Sequence, residues 1–185
     1  MGKVFDRYTH EPLPGVELLL GYARLENGSF SSATTDIGYT VTDEDGNYRF
    51  EFDPVSAYEY RLTATRDGYF HERLTVGIDD VHSGALNVYD FDMAAESRVK
   101  VNLYDSENEY DQLVFTFLPH SEGCDVCCHT EPVVVKNDTD TVFECRVHGN
   151  QYLSYRLNYI GPGSAQTVER EVYAPAGQFE IEVAY

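Results

Sequence analysis

The chain has 185 residues, of which 42% are hydrophobic, so it can bury one large or two small cores and is not globally disordered. It carries 13 basic and 32 acidic residues, a formal net charge of −19 at pH 7. A surface this acidic repels phosphate backbones and anionic lipid headgroups, so we expect no nucleic-acid partner and no direct binding to a membrane surface.

The first half of the chain alternates apolar and polar residues, a pattern typical of half-buried strands. This alternation predicts strands at residues 16–20, 48–52, 60–64 and 86–93. Turn-forming sequences separate them, among them Asn27-Gly28 and Asp45-Gly46-Asn47. Residues 94–97 carry no strand pattern and predict a short linker. The first predicted domain therefore covers residues 1–95.

The second half predicts a fresh set of seven short strands separated by turns. They lie around residues 99–103, 113–117, 133–135, 143–147, 153–159, 168–172 and 179–183. Seven strands of this length fit an antiparallel sandwich of immunoglobulin or fibronectin size over residues 96–185. The predicted fold class is all-β, with two tandem antiparallel β-sandwich domains.

Four segments of the first half resemble, in the same order, segments of one known family. They are GKVFDRYTHEPLPGVELLL (2–20), YTVTDEDGNYRFEF (39–52), YEYRLTATRDGYFHE (58–72) and LNVYDFDM (86–93). The first half thus resembles a carboxypeptidase regulatory-like domain, a transthyretin-like β-sandwich, in which the second segment forms a hairpin. The resemblance implies a folded spacer or accessory module on a larger secreted or surface protein of bacteria. The second half stays unassigned.

Enzymes related to this family have motifs that can be sought in the sequence. Zinc carboxypeptidases carry an H-x-x-E ligand pair, and none of the six histidines has a glutamate three residues later. The transthyretin-like hydrolases end in a Y-R-G-S type of tail, whereas this chain ends Val183-Ala184-Tyr185, and a G-x-S-x-G elbow is absent. We therefore expect a non-enzymatic protein without a cofactor. A metal-dependent enzyme would need histidines and carboxylates converging in a cleft.

Two further groups of residues have both a functional and a structural interpretation. Asp43, Asp45 and Asn47 invite a calcium site, but Val41 and Phe52 occupy positions where an EF-hand loop needs oxygen ligands, so turn chemistry explains them better. The 15 tyrosines offer an alternative function, a glycan- or protein-binding module with exposed Tyr faces, although Tyr is also a good strand residue. The tyrosines considered for such a face are Tyr8, Tyr22, Tyr58, Tyr69 and Tyr110.

The cysteines form the most specific motif. Cys124, Cys127 and Cys128 lie within five residues, and Cys145 and His148 follow as C-x-x-H. Zinc bound by Cys124, Cys127, Cys145 and His148 satisfies the ribbon spacing. Strand alternation opposes this set, because it points Cys145 and His148 in opposite directions. Free, inert thiols are a second alternative.

We favour one or two disulfides that join the loop at 124–128 to the strand at 143–147, with Cys145 bonded to Cys124, Cys127 or Cys128. Cys127 and Cys128 are not expected to pair with each other, since adjacent side chains of an extended segment point apart. A redox-active C-x-x-C is the least favoured variant, because the neighbouring acidic residues raise thiol pKa values.

The expected location follows from the resemblance and the disulfide. We predict an extracytoplasmic accessory module of a bacterial cell-surface or periplasmic protein, such as a small lipoprotein. No apolar run approaches the ~20 residues of a membrane-spanning helix, so a membrane would be reached through a lipid anchor outside this chain. The first residues, Met1 to Phe5, predict a strand rather than a signal peptide. This leaves either a cytoplasmic protein or a mature chain whose leader was removed.

Overall fold

The computed structural model describes residues 1–26, 29–30, 34–106, 110–136 and 139–185. In these residues the regular structure is β-strand, apart from one short 3-10 helix at Ile78–Asp80. The chain divides into two compact units, Met1–Ala94 and Ala95–Tyr185. Each unit contains two main sheets, so the predicted all-β class with two tandem sandwiches is confirmed. The predicted Asn27-Gly28 turn lies outside the described residues.

The first unit has two facing sheets with the strand orders β6-β1-β9 and β5-β2-β7-β8, and a ribbon of β3 and β4. The strands are β1 (Gly2–Asp6), β2 (Glu17–Ala23), β3 (Leu25–Glu26), β4 (Ser29–Phe30), β5 (Thr35–Val41), β6 (Asn47–Tyr48), β7 (Glu59–Thr65), β8 (Glu72–Gly77) and β9 (Phe91–Met93). The core is formed by inward-facing residues of both sheets, such as Val4, Leu18, Leu62 and Met93. The alternation seen in the sequence thus separates core-facing from solvent-facing side chains.

Two strands of this unit are shorter than predicted. The strand predicted at 48–52 stops at Tyr48, and Phe50 and Phe52 pack against the core without strand pairing. Of the strand predicted at 86–93 only Phe91–Met93 forms, and Leu86 is 66% exposed. Alternation alone did not reveal this, because irregular chain can also present every second residue to a core. Strand β8 was not predicted at all.

The predicted hairpin over residues 39–52 is also wrong, because its two strands lie in different sheets. Strand β5 pairs with β2, whereas β6 pairs with β1. The turn at Gly46 therefore carries the chain from one sheet across to the other. Gly46 has a φ of +76°, and its amide donates a hydrogen bond to the Asp43 carbonyl.

The second unit contains all seven predicted strands. They are β10 (Glu96–Tyr104), β11 (Gln112–Phe117), β12 (Val133–Lys136), β13 (Thr141–His148), β14 (Gln151–Gly161), β15 (Ser164–Ala174) and β16 (Gly177–Ala184). The sheets have the orders β13-β10-β16 and β12-β11-β14-β15. The predicted linker at 94–97 is shorter than expected, because Glu96 and Ser97 already belong to β10.

An aromatic cluster fills the core of the second unit. The Phe115 ring is 1% exposed, and its centroid lies 4.9 Å from that of Phe117, 5.8 Å from that of Phe143 and 5.1 Å from that of Tyr155. Phe143 comes from the opposite sheet, so the cluster ties the two layers together. Edge-to-face and offset ring pairs of this kind add to the stabilisation from burial.

Two ladders depart from the predicted antiparallel pattern. In the first unit β1 pairs in parallel with β9, for example through Val4 and Phe91. In the second unit β10 pairs in parallel with β16 along eight residue pairs, from Ser97↔Gly177 to Tyr104↔Ala184. In both units the first and the last strand are therefore hydrogen-bonded neighbours.

Candidate functional site

The candidate site is the cross-linked loop, residues 118–132, which connects β11 to β12 in the second unit. Ser121 anchors this loop to the end of β13. Its hydroxyl oxygen accepts hydrogen bonds from the His148 amide at 2.9 Å and from Gln151 Nε2 at 3.3 Å. Ser121 is 5% exposed and has a φ of 49°. These hydrogen bonds hold one end of the loop against β13 independently of the cysteines.

All four cysteines are in disulfides. Cys124 is bonded to Cys127 within the loop, and Cys128 is bonded to Cys145 on β13. The Cα–Cα distances are 5.4 and 5.2 Å, in the normal range for such bonds. Cys145 therefore has a loop cysteine as its partner, and Cys127 and Cys128 are not bonded to each other, in agreement with the sequence-based expectation.

The backbone explains why Cys128 is the partner of Cys145. The Cys128 amide donates a hydrogen bond to the Arg146 carbonyl at 2.7 Å, and Cys127 forms a parallel bridge with Arg146. The loop thus runs beside β13 for a short distance. Cys145 packs against the core next to Phe143, and this brings Cys128 opposite it. Sequence spacing could not reveal this local pairing.

The four-residue zinc site considered from the sequence is not assembled, because Cys145 is bonded to Cys128. Three of its members do come together: a ring nitrogen of His148 and the sulfurs of Cys124 and Cys127 all lie within 4.8 Å of one another. His148 is 2% exposed, Cys127 is 5% exposed and Cys124 is half-buried. Among the described residues, Cys124, Cys127 and His148 are the group of side chains close enough together to bind one metal ion.

Ser121 and Gln151, which position the loop and the end of β13, were not predicted from the sequence. The surrounding His-Ser-Glu-Gly sequence at 120–123 indicates a turn. It does not indicate that the Ser121 hydroxyl accepts the backbone N–H of a residue 27 positions away. Contacts between residues so far apart depend on the tertiary arrangement.

The tyrosines considered for a binding face are mostly not exposed. Tyr58 is 45% exposed, whereas Tyr8, Tyr22, Tyr69 and Tyr110 are half-buried. The more exposed tyrosines of the described residues are found elsewhere, at positions 39, 152 and 173. Tyr152 and Tyr173 face each other on β14 and β15, with ring centroids 5.4 Å apart and an interplanar angle of 64°.

The acidic turn considered for calcium has its own hydrogen bonds. The Asp43 carboxylate accepts the amide N–H of Asn47 at 2.8 Å, that of Asp45 at 3.0 Å and the Asn47 side-chain amide at 3.1 Å. The bonds from Asn47 lower the pKa of Asp43 below its usual range. These hydrogen bonds stabilise the turn and explain why Asp and Asn occur at positions 43, 45 and 47.

A cavity of about 330 Å³ opens in the first unit, beside the aromatic side chains of Phe50, Phe52 and Tyr60. Its volume is at the lower end of the range for small-molecule sites. Two segments without strand pairing, at 49–52 and 81–87, form much of its wall. Of these residues, 49–52, Leu86 and Asn87 fall within the strands predicted from the sequence. The cavity is lined mainly by apolar side chains, and Arg49, Glu51 and His82 are among the titratable residues at its wall.

In the described part of the chain, no helix has the length and apolar character needed to cross a membrane. Neither a family model nor a curated protein matches the sequence at a significant level. A solved streptococcal ancillary pilin is 16% identical to this chain, with a TM-score of 0.34. The match covers 98% of this chain and 61% of the pilin chain, so the present chain spans less than two thirds of that protein's length. A likeness at this level does not extend to function.

Proposed function

We propose that this chain is a non-enzymatic structural module of an extracytoplasmic bacterial protein, at the cell surface or in the periplasm, such as a small lipoprotein. The observation that carries this proposal is the parallel pairing of the first and last strands in each unit. The bacterial source and the surface location are implied by the resemblance of the first half to carboxypeptidase regulatory-like domains.

Parallel terminal strands suit a module that bears tension. A force on the two ends of the chain enters each unit at the beginning of its first strand and leaves at the end of its last strand. Because these strands are parallel neighbours, their hydrogen bonds are loaded along the strand axes and must break together rather than one after another. In the second unit eight residue pairs share this load.

The two disulfides support the proposed location. Disulfides form and persist in oxidising compartments and are rare in the reducing cytosol. The Cys128–Cys145 bond encloses 17 residue steps and joins the cross-linked loop to β13, which lies next to the load-bearing β10. It also prevents the enclosed segment from extending when the second unit unfolds.

Single-molecule force spectroscopy on the full chain, held at its two ends, tests the proposal. We expect two unfolding events, one for each unit. Reduction of the disulfides should lengthen the released chain of the second unit by about 50–60 Å, because the residues between Cys128 and Cys145 then extend at up to about 3.3–3.6 Å per residue.

The matched control is a second pulling direction on the same unit. Residues Tyr104 and Ala184 are paired at one end of the β10–β16 ladder, so handles at Asp105 and Tyr185 open this ladder bond by bond. We expect a clearly lower unfolding force for this direction than for end-to-end pulling. An equal or higher force with the handles at 105 and 185 would contradict a load-bearing role.

A second candidate function, the binding of a glycan or a protein, is favoured by Tyr152 and Tyr173. Their side chains are 65% and 47% exposed on the outer face of the β14–β15 pair. Tyrosine offers rigid, amphipathic contact area to sugars and to protein partners. The pair does not continue into a longer aromatic strip among the described residues of these two strands, which is why the structural role is proposed first.

A glycan array with the full chain, alongside a Tyr152→Ser/Tyr173→Ser variant, tests this alternative. Binding by the parent chain that the double variant loses would support a recognition role. A Tyr39→Ser variant, altered at an exposed tyrosine of the first unit, is the matched control and should bind like the parent chain. Equal signals from all three proteins would reject the Tyr152–Tyr173 pair as a binding face.

A further inference from the structure

The two disulfides differ in what they hold. The Cys128–Cys145 bond joins the cross-linked loop to a strand, whereas both cysteines of the Cys124–Cys127 bond belong to the loop itself, three positions apart. Opening the short bond leaves the loop attached to β13 through Cys128 and Ser121.

The environment of the short bond contains a third metal ligand. A ring nitrogen of His148 lies within 4.8 Å of both Cys124 Sγ and Cys127 Sγ. His148 is the last residue of β13, and the Ser121 hydroxyl accepts its amide N–H, so its backbone is fixed relative to the loop. Two sulfurs and an imidazole nitrogen are the ligand types that zinc prefers.

We propose that reduction of the Cys124–Cys127 bond converts the cross-linked loop into a zinc site, with two thiolates and His148 as ligands. Tetrahedral zinc with Zn–S bonds of about 2.3 Å places two sulfurs about 3.8 Å apart. The C-x-x-C spacing allows this separation within one turn. This proposal does not depend on the structural function proposed above.

The cluster supplies three of the four ligands of tetrahedral zinc. Among the described residues, no other cysteine, histidine or carboxylate lies within the cluster, so the fourth position would be taken by water or a ligand from solution. Cys124 is only half-buried and provides a route of entry, whereas Cys127 and His148 are buried. Two thiolates neutralise the charge of Zn²⁺, which suits a partly buried site.

The two states of the site exclude each other. A dithiol is oxidised to its own disulfide, or a phosphine and one water molecule become a phosphine oxide; in either case two electrons and two protons break the S–S bond and form two thiols. Each thiol gives its proton to the solvent when its sulfur binds zinc. The metal leaves again if a small-molecule disulfide accepts two electrons from the two thiolates, takes up two protons and becomes two thiols while the Cys124–Cys127 bond forms again. The site is thus closed in an oxidising compartment and open wherever a reductant of these classes is present.

Cobalt(II) is the probe for the first experiment, because its thiolate complexes have charge-transfer absorption and its tetrahedral complexes have strong visible bands. The full chain is partially reduced with a phosphine, and alkylation with mass mapping identifies the opened bond. We expect one cobalt per chain in the reduced protein, displaced by zinc, and none in the oxidised protein. Absence of the thiolate absorption after Cys124 and Cys127 are shown to be free would overturn the proposal.

Variants identify the ligands. Cys124→Ser/Cys127→Ser should abolish cobalt binding, and His148→Asn should weaken it by about ten-fold or more, in line with the effect of losing metal-site partners. The control is His129→Asn, which alters an exposed histidine of the same loop outside the cluster and should leave affinity unchanged. Binding that survives loss of Cys124 and Cys127, or that is equally weakened by His129→Asn, would refute the assignment.

A measurement on the unmodified chain covers the case in which the buried His148 cannot be replaced without unfolding. X-ray absorption at the zinc edge should show two sulfur neighbours at about 2.3 Å and nitrogen or oxygen neighbours at about 2.0–2.1 Å. Three or four sulfur neighbours would mean that Cys128 or Cys145 is recruited instead, and would overturn the three-ligand site. A Cys128→Ala/Cys145→Ala variant, reduced in full, should give the same two-sulfur spectrum.

Discussion

At the scale of single residues, the first unit depends on a buried carboxylate. Asp6, at the end of β1, is 1% exposed. Its carboxylate accepts the amide N–H groups of Tyr8 and Thr9, each at 2.9 Å, and the hydroxyl of Tyr69 at 3.3 Å. A buried carboxylate is tolerated only with such partners. Asp6 thereby fixes the turn that follows β1 and attaches it to the segment after β7.

We expect Asp6→Ala to lower the free energy of unfolding of the first unit by about 2–3 kcal/mol, since it leaves buried donors without an acceptor. Asp6→Asn retains one acceptor oxygen and should cost less. Asp53→Ala, which removes an exposed carboxylate of the same unit, is the control and should stay within about 0.5 kcal/mol of the parent. Urea unfolding measures all three, and an effect of Asp6→Ala no larger than that of Asp53→Ala would contradict this role.

Asp43 makes the stability of the first unit depend on pH in the acidic range. Hydrogen bonds from Asn47 lower its pKa in the folded state. A lowered folded-state pKa stabilises the protein above the unfolded pKa, and this stabilisation is lost as pH falls through the folded pKa. Asp43→Asn accepts hydrogen bonds without this titration, so its melting temperature should fall less between neutral and acidic pH than that of the parent.

Thermal melts across this pH range measure the difference. A parent profile that coincides with that of Asp43→Asn at every pH would show that the Asp43 bonds do not contribute.

At the scale of elements, the turn between β5 and β6 places a glycine where a side chain does not fit. A Cβ atom at Gly46 would lie 2.5 Å from the Val4 carbonyl oxygen and 3.1 Å from the Leu13 nitrogen. Gly68 has nearly the same φ, +78° against +76°, but a Cβ there meets nothing within 4 Å. Substitutions at these two glycines therefore distinguish the free-energy cost of a left-handed backbone conformation from the cost of a steric clash of the added Cβ atom.

We expect Gly68→Ala to cost about 1–2 kcal/mol, the strain of a left-handed residue alone. Gly46→Ala should cost about 3 kcal/mol or more, because the backbone of β1 must also move. Chemical denaturation of the two variants gives both values. Equal losses would show that the packing of the turn against Val4 is unimportant.

The cross-linked loop allows a similar comparison between its two bonds. Removing the longer connection with Cys128→Ala/Cys145→Ala should lower the stability of the second unit by about 3 kcal/mol. Cys124→Ala/Cys127→Ala should cost about 2 kcal/mol or less, since the enclosed segment is shorter. Both are measured by denaturation under oxidising conditions. A larger loss for the shorter bond would mean that it holds more than its own loop.

The strands of the second unit could be predicted because their inward residues, such as Leu113, Phe115 and Phe117, alternate strictly and are 0%, 1% and 3% exposed. In the first unit Phe50 and Phe52 alternate in the same way, yet they line a cavity without strand partners. Alternating apolar residues indicate that one side of a segment is buried. They do not indicate whether another strand lies beside the segment to form backbone hydrogen bonds.

The candidate site could be predicted in part. The cysteine spacing indicated a cross-link between the loop and the strand of Cys145, but the choice of Cys128 depends on the hydrogen bond that its amide donates to Arg146. Likewise, the proximity of His148 to Cys124 and Cys127 depends on a loop anchored at Ser121. Such long-range contacts have no signature in the spacing of residues.

At the scale of the whole molecule, charge is the dominant property. Acidic residues exceed basic ones by 19, and three of the ion pairs between described side chains have both partners exposed: Arg49–Glu51, Lys100–Glu180 and Arg156–Glu169. Exposed ion pairs contribute little, typically about 0–1 kcal/mol each. Repulsion among the excess carboxylates acts over the whole surface and is reduced by salt, since the Debye length falls from about 30 Å at 0.01 M to about 8 Å at 0.15 M.

We therefore expect the melting temperature to rise when sodium chloride is increased from about 0.01 M to about 0.15 M, because relief of repulsion outweighs the weakening of pairs such as Arg156–Glu169. A Glu44→Lys/Asp53→Lys variant, altered at exposed acidic residues, has less excess negative charge and should show a smaller rise. If salt instead lowered the melting temperature, the surface ion pairs would be the larger contribution. An equal rise of the melting temperature in the variant would mean that salt stabilises the protein by strengthening the burial of apolar surface, and not by reducing repulsion between charges.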